Sequence, residues 1–64
     1  MAHIQIITGR GATFEDLLRF VEECKEKNIP HDTPVKISQH ATEPLQDVAD
    51  MQADEESIIF YDWL

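Results

Sequence analysis

"NIPHDTPVKIS", residues 28–38, joins the chain's best helical segment to its cleanest alternating one, and its reading decides the fold. Pro30 cannot continue a helix, because it lacks an N–H and its ring clashes with the preceding turn. Asp32 is placed to accept backbone N–H bonds one or two residues on, as in an Asx-turn. Pro34 drives Thr33 into an extended conformation and aims the chain into a strand. Val35 and Ile37 then alternate with Lys36 and Ser38, the period of a strand with one apolar face. The same letters spell His31-Asp32-Thr33, a candidate catalytic or metal fragment. A nucleophilic triad needs a hydroxyl held against a histidine that a third group orients. Adjacent residues of one tight turn point in different directions, so the stretch reads as a helix stop, a turn and a strand entry.

Upstream, Thr13 is a good N-cap, with Asp16 at the capping-box position and Glu15 in the same turn. The helix it opens is expected to run to about Lys27. Phe14, Leu17, Leu18, Val21 and Cys24 recur at the spacing of one helical face, with Phe20 on its flank. Glu15/Arg19 and Glu23/Lys27 are expected as ion pairs one turn apart. Before the helix, "HIQIIT" (3–8) reads as a strand, with Ile4 and Ile6 on one face and Ile7 on the other. Downstream, "SIIFYDWL" (57–64) is the strongest strand: Ile58 and Phe60 line one side, and Ile59, Tyr61 and Trp63 the other. The stretch between, residues 41–56, fits a helix capped by Thr42 or a strand in which Leu45, Ala49, Met51 and Ala53 share a face. Pro44 suits either, and "ADEE" reads as a turn.

The chain has 64 residues, enough for a single small domain, 1–64, whose core supplies only about 3–5 kcal/mol unless a disulfide, metal or partner reinforces it. Cys24 is the only cysteine, so no internal disulfide is available. It reads as a buried hydrophobe in a reducing compartment. No signal-peptide pattern and no run of roughly 18 apolar residues appears, so a soluble, cytoplasmic protein is expected, with no membrane contact.

The net charge of −8 is lopsided. All five basic residues (Arg10, Arg19, Lys25, Lys27, Lys36) precede residue 37, and the seven acids after it (Glu43, Asp47, Asp50, Asp54, Glu55, Glu56, Asp62) have no basic neighbour in sequence. Such a lobe disfavours direct binding of nucleic acid and attracts a basic partner protein. Solubilisation is its plainest role, and imitation of the DNA backbone its most specialised. "TGRGAT" (8–13) offers a glycine-rich loop at a helix N-terminus with Arg10 beside it, a candidate anion or phosphate site. It lacks the Walker pattern, and Glu15 and Asp16 follow at once. His3, His31 and His40 lie in separate segments with no helical ligand partner, so neither metal nor cofactor is expected.

Taken together, the helix, "IPHDTPVKIS" and "EPLQDVADMQADEESIIFY" resemble a group of small proteins of actinobacteria and their phages that carry no assigned activity. The resemblance spans roughly residues 13–61. It rests on Pro30, Asp32, Thr33, Pro34 and Val35, then on Pro44, Leu45, Asp47 and Val48; His31 departs from the acidic residue usual there. It implies a strand over residues 46–53, and a phage product that acts in a host cytoplasm.

The expected fold is α+β, a single helix on a small three- to four-stranded, largely antiparallel sheet in the order β-α-β-β-β. No constellation supports catalysis, so a non-enzymatic protein–protein interaction module is expected, one that binds and modulates a host protein. Its contact residues would be Ile59, Tyr61 and Trp63 as apolar anchors, with Asp47, Asp50, Asp54, Glu55 and Glu56 steering the partner. A homodimeric accessory protein and a small-anion binder through residues 8–13 are the alternatives.

Overall fold

The computed structural model describes residues 2–9, 11–40 and 45–63. The elements are β1 (Ile4–Ile7), α1 (Phe14–Glu26), β2 (Val35–Ser38), β3 (Asp50–Ala53) and β4 (Ile58–Tyr61). This is the α+β order expected, and of the strand expected over residues 46–53 the structure forms only β3, Asp50–Ala53. Thr42 and Pro44, which bear on its helical alternative, lie outside the described residues.

The sheet order is β1-β3-β4-β2. β3 runs antiparallel to both β1 and β4, while β2 lies parallel to β4 on the far edge. The reason is the crossover. A strand–helix–strand passage returns β2 in the direction of β1, and the β3–β4 hairpin fills the gap between them. The hairpin turn is the "ADEE" turn, closed by Asp54 N–H to the Ser57 carbonyl (3.0 Å) and by Asp54 Oδ1, which accepts from Glu56 (2.8 Å) and Ser57 N–H (3.0 Å).

Both ends of α1 are chemically specified. Thr13 and Asp16 form the expected capping box, Asp16 N–H donating to Thr13 Oγ1 and Thr13 N–H to Asp16 Oδ2. Arg19 pairs with Asp16 at 3.2 Å rather than with Glu15, because the capping box already holds that carboxylate one turn back. At the C-terminus the helix ends before Pro30 is reached. Asn28 takes a left-handed φ of 59°, Ile29 N–H reaches the Cys24 carbonyl and Asn28 N–H the Lys25 carbonyl. That is a Schellman motif with the apolar Ile29 folded back into the core. The Asx-turn expected of Asp32 is replaced by a backbone turn, Thr33 N–H donating to the Pro30 carbonyl at 3.1 Å with His31 and Asp32 at its exposed corner.

Packing is asymmetric. Ile4, Ile6, Met51 and Ala53 face α1 and are buried with Phe20, Cys24 and Ile29. Phe20, expected on the helix flank, is the centre of the buried stripe, its ring edge-on to Phe60 at 5.8 Å. The helix packs closest on β1. Its Leu17, Leu18, Val21 and Phe14 are therefore left partly exposed. Val35 and Ile37 stand on the same sheet face in register with Ile58 and Phe60, yet are 61% and 75% exposed.

Candidate functional site

The expected contact residues separate in space. Ile59 and Tyr61 are half-buried on the sheet face away from α1, bordered in register by Gln52 and Asp50 on one side and by Lys36 and Ser38 on the other. Trp63 follows β4 and rests edge-on against Tyr61 with ring centroids 5.5 Å apart, its Nε1–H donating to Ser38 Oγ at 3.4 Å. These three do form one aromatic–aliphatic row. The carboxylates do not join it as a set. Asp54, Glu55 and Glu56 occupy the hairpin turn at the opposite end of β4, and Asp47 lies against Gly11.

Two of these acids already have structural partners. Asp54 closes the turn, and the N–H groups of Ser57 and Glu56 hold its carboxyl below the ordinary range. Glu55 accepts from Ala2 N–H at 2.8 Å, which lowers its pKa and ties the start of the chain to the hairpin. Asp50 is a correction to the docking set. It is buried, and its carboxylate accepts from Gln5 Nε2 and, at 2.8 Å, from Gln52 Nε2. The antiparallel register that places Gln5 opposite Gln52 creates that pocket of amides, which no local pattern in the sequence announces. Glu56 and Asp47 remain exposed.

The glycine loop is organised inward. Thr8 and Gly9 N–H donate to the Ala49 carbonyl, and Ala12 N–H and Thr8 Oγ1 to the Val48 carbonyl at 2.7 Å each. Gly11 has φ +115°, a conformation that favours glycine, and a Cβ there would crowd Asp47 Cβ at 3.0 Å. The loop is thus a clasp on residues 48–49. Arg10, on which the anion reading depends, lies outside the described residues. His3, His31 and His40 belong to no group of three or more metal-ligating side chains among the described residues. No helix of the described chain is long and apolar enough to cross a membrane.

The concave apolar surface lies on the helix side instead. A cleft of about 330 Å³ opens between α1 and β2, walled by Leu17, Val21, Val35, Ile58 and Phe60, with Phe20 and Cys24 also lining it. Burial pushes the Cys24 thiol above its ordinary pKa, which disfavours the reactive thiolate. Lys25, His31 and Thr33 are its polar lining residues. On the other side of Phe60 lies a second groove of about 240 Å³, floored by Ile37, Leu45 and Val48 and bordered by Asp47 and Asp62. Leu45 is 89% exposed. The alternation of Val35 and Ile37 with Lys36 and Ser38 marks a strand with one apolar face, and that face stands largely exposed.

No protein-family model, curated protein or solved structure matches the chain.

Proposed function

We propose that this chain is a non-enzymatic docking module that binds a basic protein segment along the β2 edge and the acid-bordered groove beside it. The observation that carries the reading is the exposure of Val35 and Ile37 on the edge strand β2, and of Leu45 in the groove beside it, with no strand among the described residues on the second side of β2. A segment added there gains main-chain hydrogen bonds from the edge and places alternate apolar side chains over Ile37 and Leu45. Asp47 and Asp62 border that groove, and the net charge of −8 favours encounter with a cationic partner. Natural edge strands are normally shielded, and Lys36 with Pro34 is modest protection for an edge flanked by this much apolar surface. The resemblance of Pro30, Asp32, Thr33, Pro34 and Val35 to a turn of small phage proteins would fit a product that binds and modulates a host protein.

The test is capture from lysate of the source cell, or of its host, by the wild-type chain and by Ile37→Asp in parallel. The expected result is a basic protein retained by the wild type, released as salt rises and absent with Ile37→Asp. The purified pair should then reproduce the same salt and variant dependence. Recovery of nothing at low and moderate salt, or equal recovery by both chains, would sink the reading. A doubled mass in sedimentation without any added protein, abolished by Ile37→Asp, would assign the edge to a second copy instead.

A further inference from the structure

We infer that the cleft between α1 and β2 is a binding site for a small amphipathic acid, an aliphatic or aromatic body carrying one carboxylate. The site shares only Phe60 with the acid-bordered groove and does not depend on the docking reading.

Three observations converge on it. The cleft volume of about 330 Å³ is at the lower end of small-molecule pockets, and its walls are the apolar side chains such pockets use. Its charge is inverted relative to the chain. The sequence has 13 acidic residues against five Lys and Arg, yet among the described residues no carboxylate lines this cleft, while Lys25 and His31 do. Lastly, Thr33 lines the cleft and is 9% exposed, and its Oγ1 is buried with no hydrogen-bond partner among the described residues.

That hydroxyl is the informative group. Buried polar atoms are nearly always satisfied, because leaving one unpaired forfeits its hydration without compensation. The backbone on either side of it is held in place. Thr33 N–H bonds to the Pro30 carbonyl, and the Pro34 carbonyl accepts from Ile58 N–H, so Thr33 is pinned between the turn and the start of β2. A guest acceptor would supply the hydrogen bond that this hydroxyl lacks among the described residues. With the Thr33 side chain rotated about χ1 to turn its hydroxyl into the cleft, a carboxylate would take the Thr33 O–H on the side lined by Lys25 and His31, while its apolar body replaces water against Leu17, Val21 and Val35. A hydrogen bond to a charged acceptor is stronger than one between neutral groups, so the acid is favoured over an alcohol of the same length, and an amine is repelled.

The test uses the isolated chain, labelled with nitrogen-15 and titrated with sodium octanoate, octan-1-ol and octylamine. Saturable amide shifts are expected with octanoate, centred on Leu17, Val21, Thr33 and Val35. Octanol should bind about tenfold more weakly, the equivalent of losing one charge-assisted hydrogen bond, and octylamine should give no saturable shift. Thr33→Val should weaken octanoate by about tenfold while leaving the melting temperature equal to or above wild type, since it removes an unsatisfied hydroxyl. Thr33→Ser keeps the hydroxyl and should retain the affinity. The absence of saturable shifts at millimolar octanoate would overturn the proposal. So would octylamine binding as well as octanoate, or Thr33→Val binding unchanged. None of those outcomes touches the Ile37 docking test, which uses a protein partner and a different groove.

Discussion

The two halves of the sheet face beneath α1 carry the same kind of side chain and meet opposite fates. On β1 and β3, Ile4, Ile6, Met51 and Ala53 are buried, Met51 to 1% exposure. On β2, Val35 and Ile37 continue the same row and stand in solvent. The difference is where the helix lies: it packs on β1 and reaches β4 through Phe20, so the row beyond Phe60 is left without cover among the described residues. Apolar alternation therefore specified a strand in both halves, but a core in only one. Side chains on the covered half hold the chain folded; those on the bare half are available to something else.

Substitutions should separate the halves by size of effect. Phe20→Ala on the covered half is expected to cost about 3–5 kcal/mol, comparable with the whole stability of a chain this small, so circular dichroism should show a largely unfolded protein. Gly11→Ala, which strains the clasp holding residues 48–49 to the covered half, should cost about 1–3 kcal/mol in urea denaturation. Thr13→Ala removes the helix cap and should cost about 1 kcal/mol by the same measurement.

Acid should act mainly on the elements that frame the sheet. Asp16, Asp54 and Glu55 are all held below their ordinary values, by N–H donors from Thr13, from Ser57 and Glu56, and from Ala2 respectively. A depressed folded-state pKa means that the stabilisation is fully present above the unfolded values of 3.8, 3.8 and 4.5. It is lost as pH falls through the lower folded values. Thermal melts between neutral pH and strongly acidic conditions should be flat at first and then decline. Asp54→Asn should make the decline shallower.

Much of the fold was legible because it is written in local chemistry. Thr13 and Asp16 mark the helix start, Pro30 to Val35 mark the passage into β2, and "ADEE" marks the hairpin, each through bonds made within a few residues. What escaped is set by long-range placement. The Schellman ending depends on Asn28 accepting a left-handed conformation that many residues avoid, and the parallel seat of β2 beside β4 depends on where a distant hairpin inserts. The docking residues escaped for the same reason. Ile59, Tyr61 and Trp63 do form a row, but Asp50 was removed from the surface by Gln5, a partner 45 residues away. The exposure of Val35 and Ile37 follows from a helix position that no periodicity encodes.

The most direct test of the division between the two halves is the urea denaturation midpoint of the double variant Val35→Thr/Ile37→Thr. Threonine keeps the branched shape a strand prefers while removing the apolar surface. If these residues serve a guest rather than the core, stability should stay within about 0.5 kcal/mol of wild type, as for surface substitutions generally. A loss of about 2 kcal/mol or more, the scale of a core substitution, would mean that the bare half is part of the core after all and would contradict the account.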